Sequence, residues 1–343
     1  MNTKKNYYIE LLRFVFCLII LLHHSGLVSA DGGGMLPSGG VIADAFFMLT
    51  GYFACANLVK NAGSIDKPFM YSVKYTYGKI KRVFPYAAFG TAIIYFLEVI
   101  HIREFYISDI ARRLYYFVVE LLLLPMTGIM KTDLLNYRNA PLWFISAMMI
   151  ALPIVMYASL KCKAVFSKFI VWVLPIATQI WMVVRFGGAL PWMDKVGFVC
   201  SGLIRGISSI MMGFGIYYVS KALADRCSSD GEKKSIMLTI AELVLLAIVM
   251  VWIVTGIGGY MEVVALYLIA ISLTLTLSGV TYTSTLQVPA FASLGALSMP
   301  VYCMHWGVYR WVGTYIHMGV WVGIAVTFFI CMMASMVIKR IIR

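Results

Sequence analysis

RFVFCLIILLHHSG (residues 13–26) and GGVIADAFFMLTGYF (residues 39–53) decide the fold of this chain. Each stretch is apolar enough to be a membrane helix, yet together they carry Arg13, His23, His24 and Asp44. A charge deep in a bilayer costs several kcal/mol or more, so such residues are kept for function or are paired. Eleven positions separate Arg13 from His24. At about 100° and ~1.5 Å per residue they face nearly the same way, ~16 Å apart along one helix. A cation near one mouth and a titratable imidazole deeper in the same wall read as the lining of a tunnel. His23 lies about 100° round the helix and is the weaker candidate, expected to point elsewhere. The glycine-rich connector 31–40 reads as a flexible loop.

The whole chain agrees with that reading. Of 343 residues, 62% are hydrophobic and 13% charged, and mean hydropathy is +0.87. This excludes an ordinary soluble domain and predicts an all-α polytopic membrane bundle. The net charge of +13 is read as cationic cytoplasmic loops rather than as a nucleic-acid surface. Seven cysteines without C-x-x-C or zinc spacing indicate neither a disulfide framework nor a metal site.

Apolar runs of spanning length fall at about 9–30, 41–59, 83–100, 141–159, 169–185, 201–219, 236–256, 261–280, 290–311 and 319–338. An eleventh, 113–130, would invert everything after it if it crossed. Without it, cytoplasmic segments hold 18 Lys and Arg and outer loops hold 6. Ten spans with both termini cytoplasmic are therefore expected, with 101–140 an outer cap or re-entrant segment. Residues 1–343 read as one membrane domain in the cell (plasma or inner) membrane, with no soluble C-terminal domain.

Particular residues carry a family resemblance. Arg13 and His24 match the Arg-x10-His motif of the acyltransferase family 3 membrane proteins, and Asp44–Gly51 resembles that family's D-x-F-F-x-L-S-G segment, with Thr50 in place of serine. Lys79-Ile-Lys81-Arg82-Val-Phe-Pro85 resembles its R-x-x-R-I-x-P segment, with lysine first. Leu142-Trp143-Phe-Ile resembles its L-W-F-L segment, though Ala147 and Met148 stand where many relatives carry a glutamate. Ser298, Tyr302 and His305 match its late S-x-x-x-Y-x-x-H segment.

The resemblance implies a membrane O-acyltransferase. It would move an acyl group, with acetyl expected, from cytoplasmic acyl-CoA to a hydroxyl of an extracytoplasmic envelope glycan or glycolipid. Histidine as a residue type titrates near neutrality, so His24 suits the general base, with Asp44 expected to orient it. Arg13, with Glu10 a helical turn away as partner, is assigned to acyl-CoA. Lys79, Lys81 and Arg82 read either as positive-inside anchors or as a cationic rim for its phosphates. Trp143 reads as an interfacial anchor or a substrate platform; Tyr302 and His305 share a helical face and read as supporting residues or as core packing. Arg205 and Glu242 are intramembrane charges read as ion-pair partners or as part of an acceptor site. Expected partners are acyl-CoA, the acceptor and the bilayer, with no metal and no nucleic acid; a homo-oligomer is left open. The competing readings are a secondary transporter using Arg13, His24 and Asp44 as a pathway, and a silent sensor on the same fold. No paired broken spans of the transporter kind are visible.

Overall fold

The computed structural model of the chain describes residues 6–29, 32–100, 106–129, 138–229, 234–315 and 319–342. Of the cations in the charge tally, Lys4, Lys5, Arg103, Lys131, Lys233 and Arg343 lie outside them. Eleven α-helices fill the described residues: α1 Tyr7–His23, α2 Ile42–Lys60, α3 Pro68–Ile100, α4 Ile107–Leu121, α5 Leu142–Val165, α6 Val171–Phe186, α7 Ser201–Ser229, α8 Ile236–Thr255, α9 Tyr260–Ser278, α10 Pro289–Tyr315 and α11 Val320–Ile342. The sheet among them is one hairpin of two-residue strands, Lys195–Val196 and Val199–Cys200.

Eight helical segments are long and apolar enough to cross a membrane. One of these, residues 142–186, holds both α5 and α6, and the chain departs from helical geometry in the last turn of α5 at Lys163, with φ +30°. The 27-residue α10 is not among the eight. The third helix is much longer than its apolar run, because Pro68 starts it at a position where a missing N–H costs nothing. The basic residues 68–82, between the apolar runs 41–59 and 83–100, are thus helix rather than loop. At 15 residues, α4 spans about 22 Å, short of a ~30 Å hydrocarbon core. Its stripe of Ile107, Ile110, Leu114 and Val118 is exposed, while Arg113 reaches back to Glu98 at 2.7 Å.

Burial sorts the helices. Of the α2 segment, 78% is buried, against 17% for α8 and 22% for α11. The α2 helix is apolar nearly all round, which suits a central position. It meets α7 through paired glycines: a Cβ on Gly51 would lie 2.1 Å from the Ile210 carbonyl oxygen, and one on Gly213 would lie 2.1 Å from that of Met48. In a membrane, small residues allow the backbones to approach and gain dispersion contacts. Gly90 of α3 and Gly307 of α10 make a second such contact.

Successive helices run up and down, so the bundle has two ends. One gathers His24, Ser38, Gly40, Leu190 and Glu262; the other gathers Arg13, Lys79, Arg82 and Lys339. At the basic end, Asn6 caps α1, accepting from the Tyr8 and Ile9 N–H groups, and donates to the Thr276 carbonyl at the end of α9.

Candidate active site

At the histidine end, α1 tightens into a 3₁₀ turn, His24–Leu27. This turn sets the His24 ring against α10, where His24 Nδ1 lies 2.9 Å from His305 Nε2 and the rings stack. The network fixes the protons. His305 Nδ1 faces the Tyr302 carbonyl at 2.7 Å and that of Val301 at 3.2 Å. Carbonyls only accept, so His305 carries its proton on Nδ1 and its Nε2 is bare. The proton between the rings then belongs to His24 Nδ1, so His24 in its neutral form bears its lone pair on Nε2. The contact holds the ring in one tautomer and one orientation.

His23 is not turned away. Its Nδ1 donates to the Leu36 carbonyl at 2.6 Å, and it lines the same cavity as His24. The connector wraps it: a Cβ on Gly39 would lie 2.7 Å from His23 Cβ, and one on Gly34 would lie 2.2 Å from the His23 carbonyl oxygen. The glycines expected to give flexibility are used here for close packing.

Asp44 does not orient His24, as the sequence reading expected. Its carboxylate receives Arg205 Nε at 3.1 and 2.9 Å and the Ser209 hydroxyl at 2.7 Å. Arg205 also donates to the Leu190 carbonyl at 2.6 Å and the Gly40 carbonyl at 2.7 Å, and lies over the Trp143 ring at 5.0 Å. This one guanidinium ties α2, α5, the connector and the α6–α7 loop together. The side chains of Arg205 and Asp44 are 4% and 0% exposed, and removing one partner of such a pair strands a buried charge. Trp143 stacks on Trp192 with centroids 5.8 Å apart. The Tyr302 hydroxyl donates to the Pro141 carbonyl at 2.9 Å. Glu242 has no part here; hydroxyls of Thr276 and Thr283 hold it, with no cation paired to it among the described residues.

These groups surround a cavity of about 280 Å³ lined by His23, His24, Trp143, Arg205, Glu262 and Tyr302, among others. A second cavity of about 640 Å³ opens at the basic end, with Arg13, Lys79, Arg82 and Lys339 on its walls. Arg13 is bonded to Glu10 at 2.9 Å. Lys81 is exposed and does not line this cavity, because at ~100° per residue it lies about 200° from Lys79 while Arg82 returns to the same face. Thr50 lines it as well, and so does Pro300, whose missing N–H leaves the Ala296 carbonyl without its helical donor. Phe46 lines the basic cavity and Tyr302 the histidine cavity, their rings 6.3 Å apart with Phe144 packed on both. This aromatic layer stands between the two spaces.

Sequence reasoning missed Glu262, Trp192 and Lys339. The signals were faint: an acid in the first turn of an apolar helix, a tryptophan in a loop, and a lysine counted only for topology. Among the described residues, no group of three His, Cys, Asp or Glu is placed to hold a metal ion. No curated protein and no solved structure matches the chain. The family model of the acyltransferase family 3, described as an acyltransferase domain, matches residues 6–340. That match takes in both cavities and every helix between them, and the chain belongs to the acyltransferase family 3 of multi-pass membrane proteins.

Proposed function

We propose that this protein is a membrane O-acyltransferase that takes an acyl group, acetyl in the first instance, from cytoplasmic acyl-CoA. It passes that group to a hydroxyl of an extracytoplasmic glycan or glycolipid. The observation that supports the proposal is the His24–His305 contact, which assigns the lone pair of a neutral His24 to Nε2, on a residue that lines the cavity. The acceptor hydroxyl gives its proton to His24 Nε2 while its oxygen attacks the thioester carbonyl. The C–O bond forms, the C–S bond breaks, and the proton passes from His24 to the departing thiolate. His305 is a positioning residue, because it holds the proton on His24 Nδ1. Arg13, Lys79, Arg82 and Lys339 bind the donor's phosphates through charge-assisted bonds. The 640 Å³ of the basic cavity falls inside the usual range for small-molecule sites, about 300–1,000 Å³. About 16 Å of α1 separates Arg13 from His24, a span that suits the extended arm of coenzyme A once the aromatic layer parts. Lys81 is left with positive-inside anchoring alone.

The test is transfer from labelled acetyl-CoA to an envelope glycan and glycolipid fraction by detergent-purified protein, with acetyl-CoA affinity measured on the same samples. His24→Ala loses about 10²–10⁴-fold in rate and keeps its acetyl-CoA affinity. Arg13→Ala with Lys79→Ala loses affinity first. His305→Ala lowers kcat and leaves KM for acetyl-CoA unchanged. Near-native turnover in His24→Ala, or loss of transfer only in His23→Ala, overturns the assignment of the base.

A further inference from the structure

Glu262 is the unused charge of the histidine cavity. It stands in the first turn of α9, and its Oε2 accepts the N–H groups of Ala189 at 2.6 Å and Leu190 at 3.2 Å. That loop is in turn held by Arg205 through the Leu190 carbonyl. The carboxylate is therefore fixed in place, with no ion pair among the described residues, and Oε1 takes part in none of their hydrogen bonds. Glu262 lines the cavity together with His24. The charges around it do not cancel. Asp44 neutralises Arg205, and His23 and His24 add no charge in their neutral forms. Among the described residues that line the cavity, Glu262 is thus the carboxylate with no cation paired to it.

We propose that Glu262 is the acceptor-binding residue of this cavity, and that it selects a neutral, hydroxyl-rich ring over an acidic one. A hydroxyl donating to a carboxylate oxygen makes a short, strong bond. A second carboxylate brought into the same low-dielectric space is repelled. The volume of about 280 Å³ lies just below the usual small-molecule range of about 300–1,000 Å³, which suits one sugar ring rather than a chain segment. Trp192, stacked on Trp143, gives the wall an aromatic surface for the apolar face of such a ring. The proposal rests on the acyl-transfer reading for its catalytic setting and on the cavity alone for its binding.

The experiment is a calorimetric titration of the detergent-purified full chain with methyl α-glucoside and with the corresponding methyl glucuronide. The same preparations are then assayed for acetyl transfer from acetyl-CoA to an envelope glycan fraction. Wild type binds the glucoside tighter than the glucuronide by about tenfold or more. Glu262→Gln keeps an oxygen for the Ala189 and Leu190 N–H groups, weakens the glucoside by about tenfold and strengthens the glucuronide, closing the gap. Glu262→Asp keeps the charge, so it weakens the glucoside through lost reach and retains the preference for it. A merely structural role would not separate the two variants in this way, and if Glu262→Gln does not fold, the aspartate variant decides. An unchanged gap in Glu262→Gln, a lost gap in Glu262→Asp, a preference for the acid, or binding of neither sugar overturns the proposal. If the gap behaves as stated but wild type transfers no acetyl, the acyl-transfer reading falls while Glu262 keeps its role. If transfer proceeds while the gap ignores Glu262→Gln, the reverse holds.

Discussion

Glu120 sits fully buried near the end of α4, accepting the Arg138 N–H at 2.6 Å and the Asn139 N–H at 3.2 Å. Burial outweighs these bonds, and with Glu98 nearby it pushes the carboxyl from 4.5 up to about 8. The unfolded carboxyl titrates near 4.5, so the protonated form is the one the fold prefers. That contribution to stability is complete below about 4.5 and is lost as pH climbs through about 8. The thermal midpoint of the purified protein is expected to fall across this window, and Glu120→Gln to flatten the fall. An equal slope in both proteins would remove Glu120 as the cause. The same contrast between what spacing carries and what folding adds governs the active site. Arg13 and His24 were legible because one helix fixes their relation. The bond from His24 to His305 joins residues 281 positions apart, and no local pattern encodes it. Asp44 was legible as a residue that matters, but its partners Arg205 and Ser209 lie on α7.

Among the elements, the α2–α7 pair holds the site in register. Its closest approach is at Gly51 and Gly213, on the same pair of helices that bring Asp44 to Arg205. A methyl group at Gly51 meets backbone rather than a movable side chain, so the helices must separate. Gly51→Ala is expected to cost about 1–3 kcal/mol by overpacking and to lower transfer further by drawing Asp44 from Arg205. Gly63→Ala is the control, since nothing lies within 4 Å of a Cβ there. Matched thermal midpoints for the two variants would contradict this account. The final glycine of the D-x-F-F-x-L-S-G resemblance was legible as a letter, and its physical reason emerges only when the second helix is in place. The long α3 was half legible. Apolar runs locate a membrane, not a helix, and the polar half of α3 continues past the run.

On the scale of the molecule, topology follows from joining the eight apolar segments to the charge bias. Counting α5 and α6 apart and adding α10 would turn eight into the expected ten. α10 falls outside the eight because it carries polar groups, Ser298, Tyr302 and His305 among them, that lower its hydropathy. Ten crossings would return both chain ends to one side, and contacts between helix ends are consistent with that order. The Ser38 hydroxyl accepts the Ile257 N–H at 2.8 Å and the Tyr302 hydroxyl reaches Pro141 at the histidine end. At the basic end Tyr71 reaches Asn57, and Lys234 reaches the Gly279 carbonyl. With 18 cations against 6, the basic end is expected to face the cytoplasm and the histidine cavity to open outward. Two probes test this. Phe198, 82% exposed on the hairpin loop at the histidine end, takes a cysteine in a chain with Cys162 and Cys227 replaced by serine. The native Cys162, exposed near the end of α5, reports the basic end. A membrane-impermeant maleimide should label Phe198→Cys in intact spheroplasts and reach Cys162 only after permeabilisation. Labelling of both without permeabilisation would break the ten-span order. The reverse pattern would place His24 on the donor side of the membrane and leave the cationic cavity facing away from acyl-CoA.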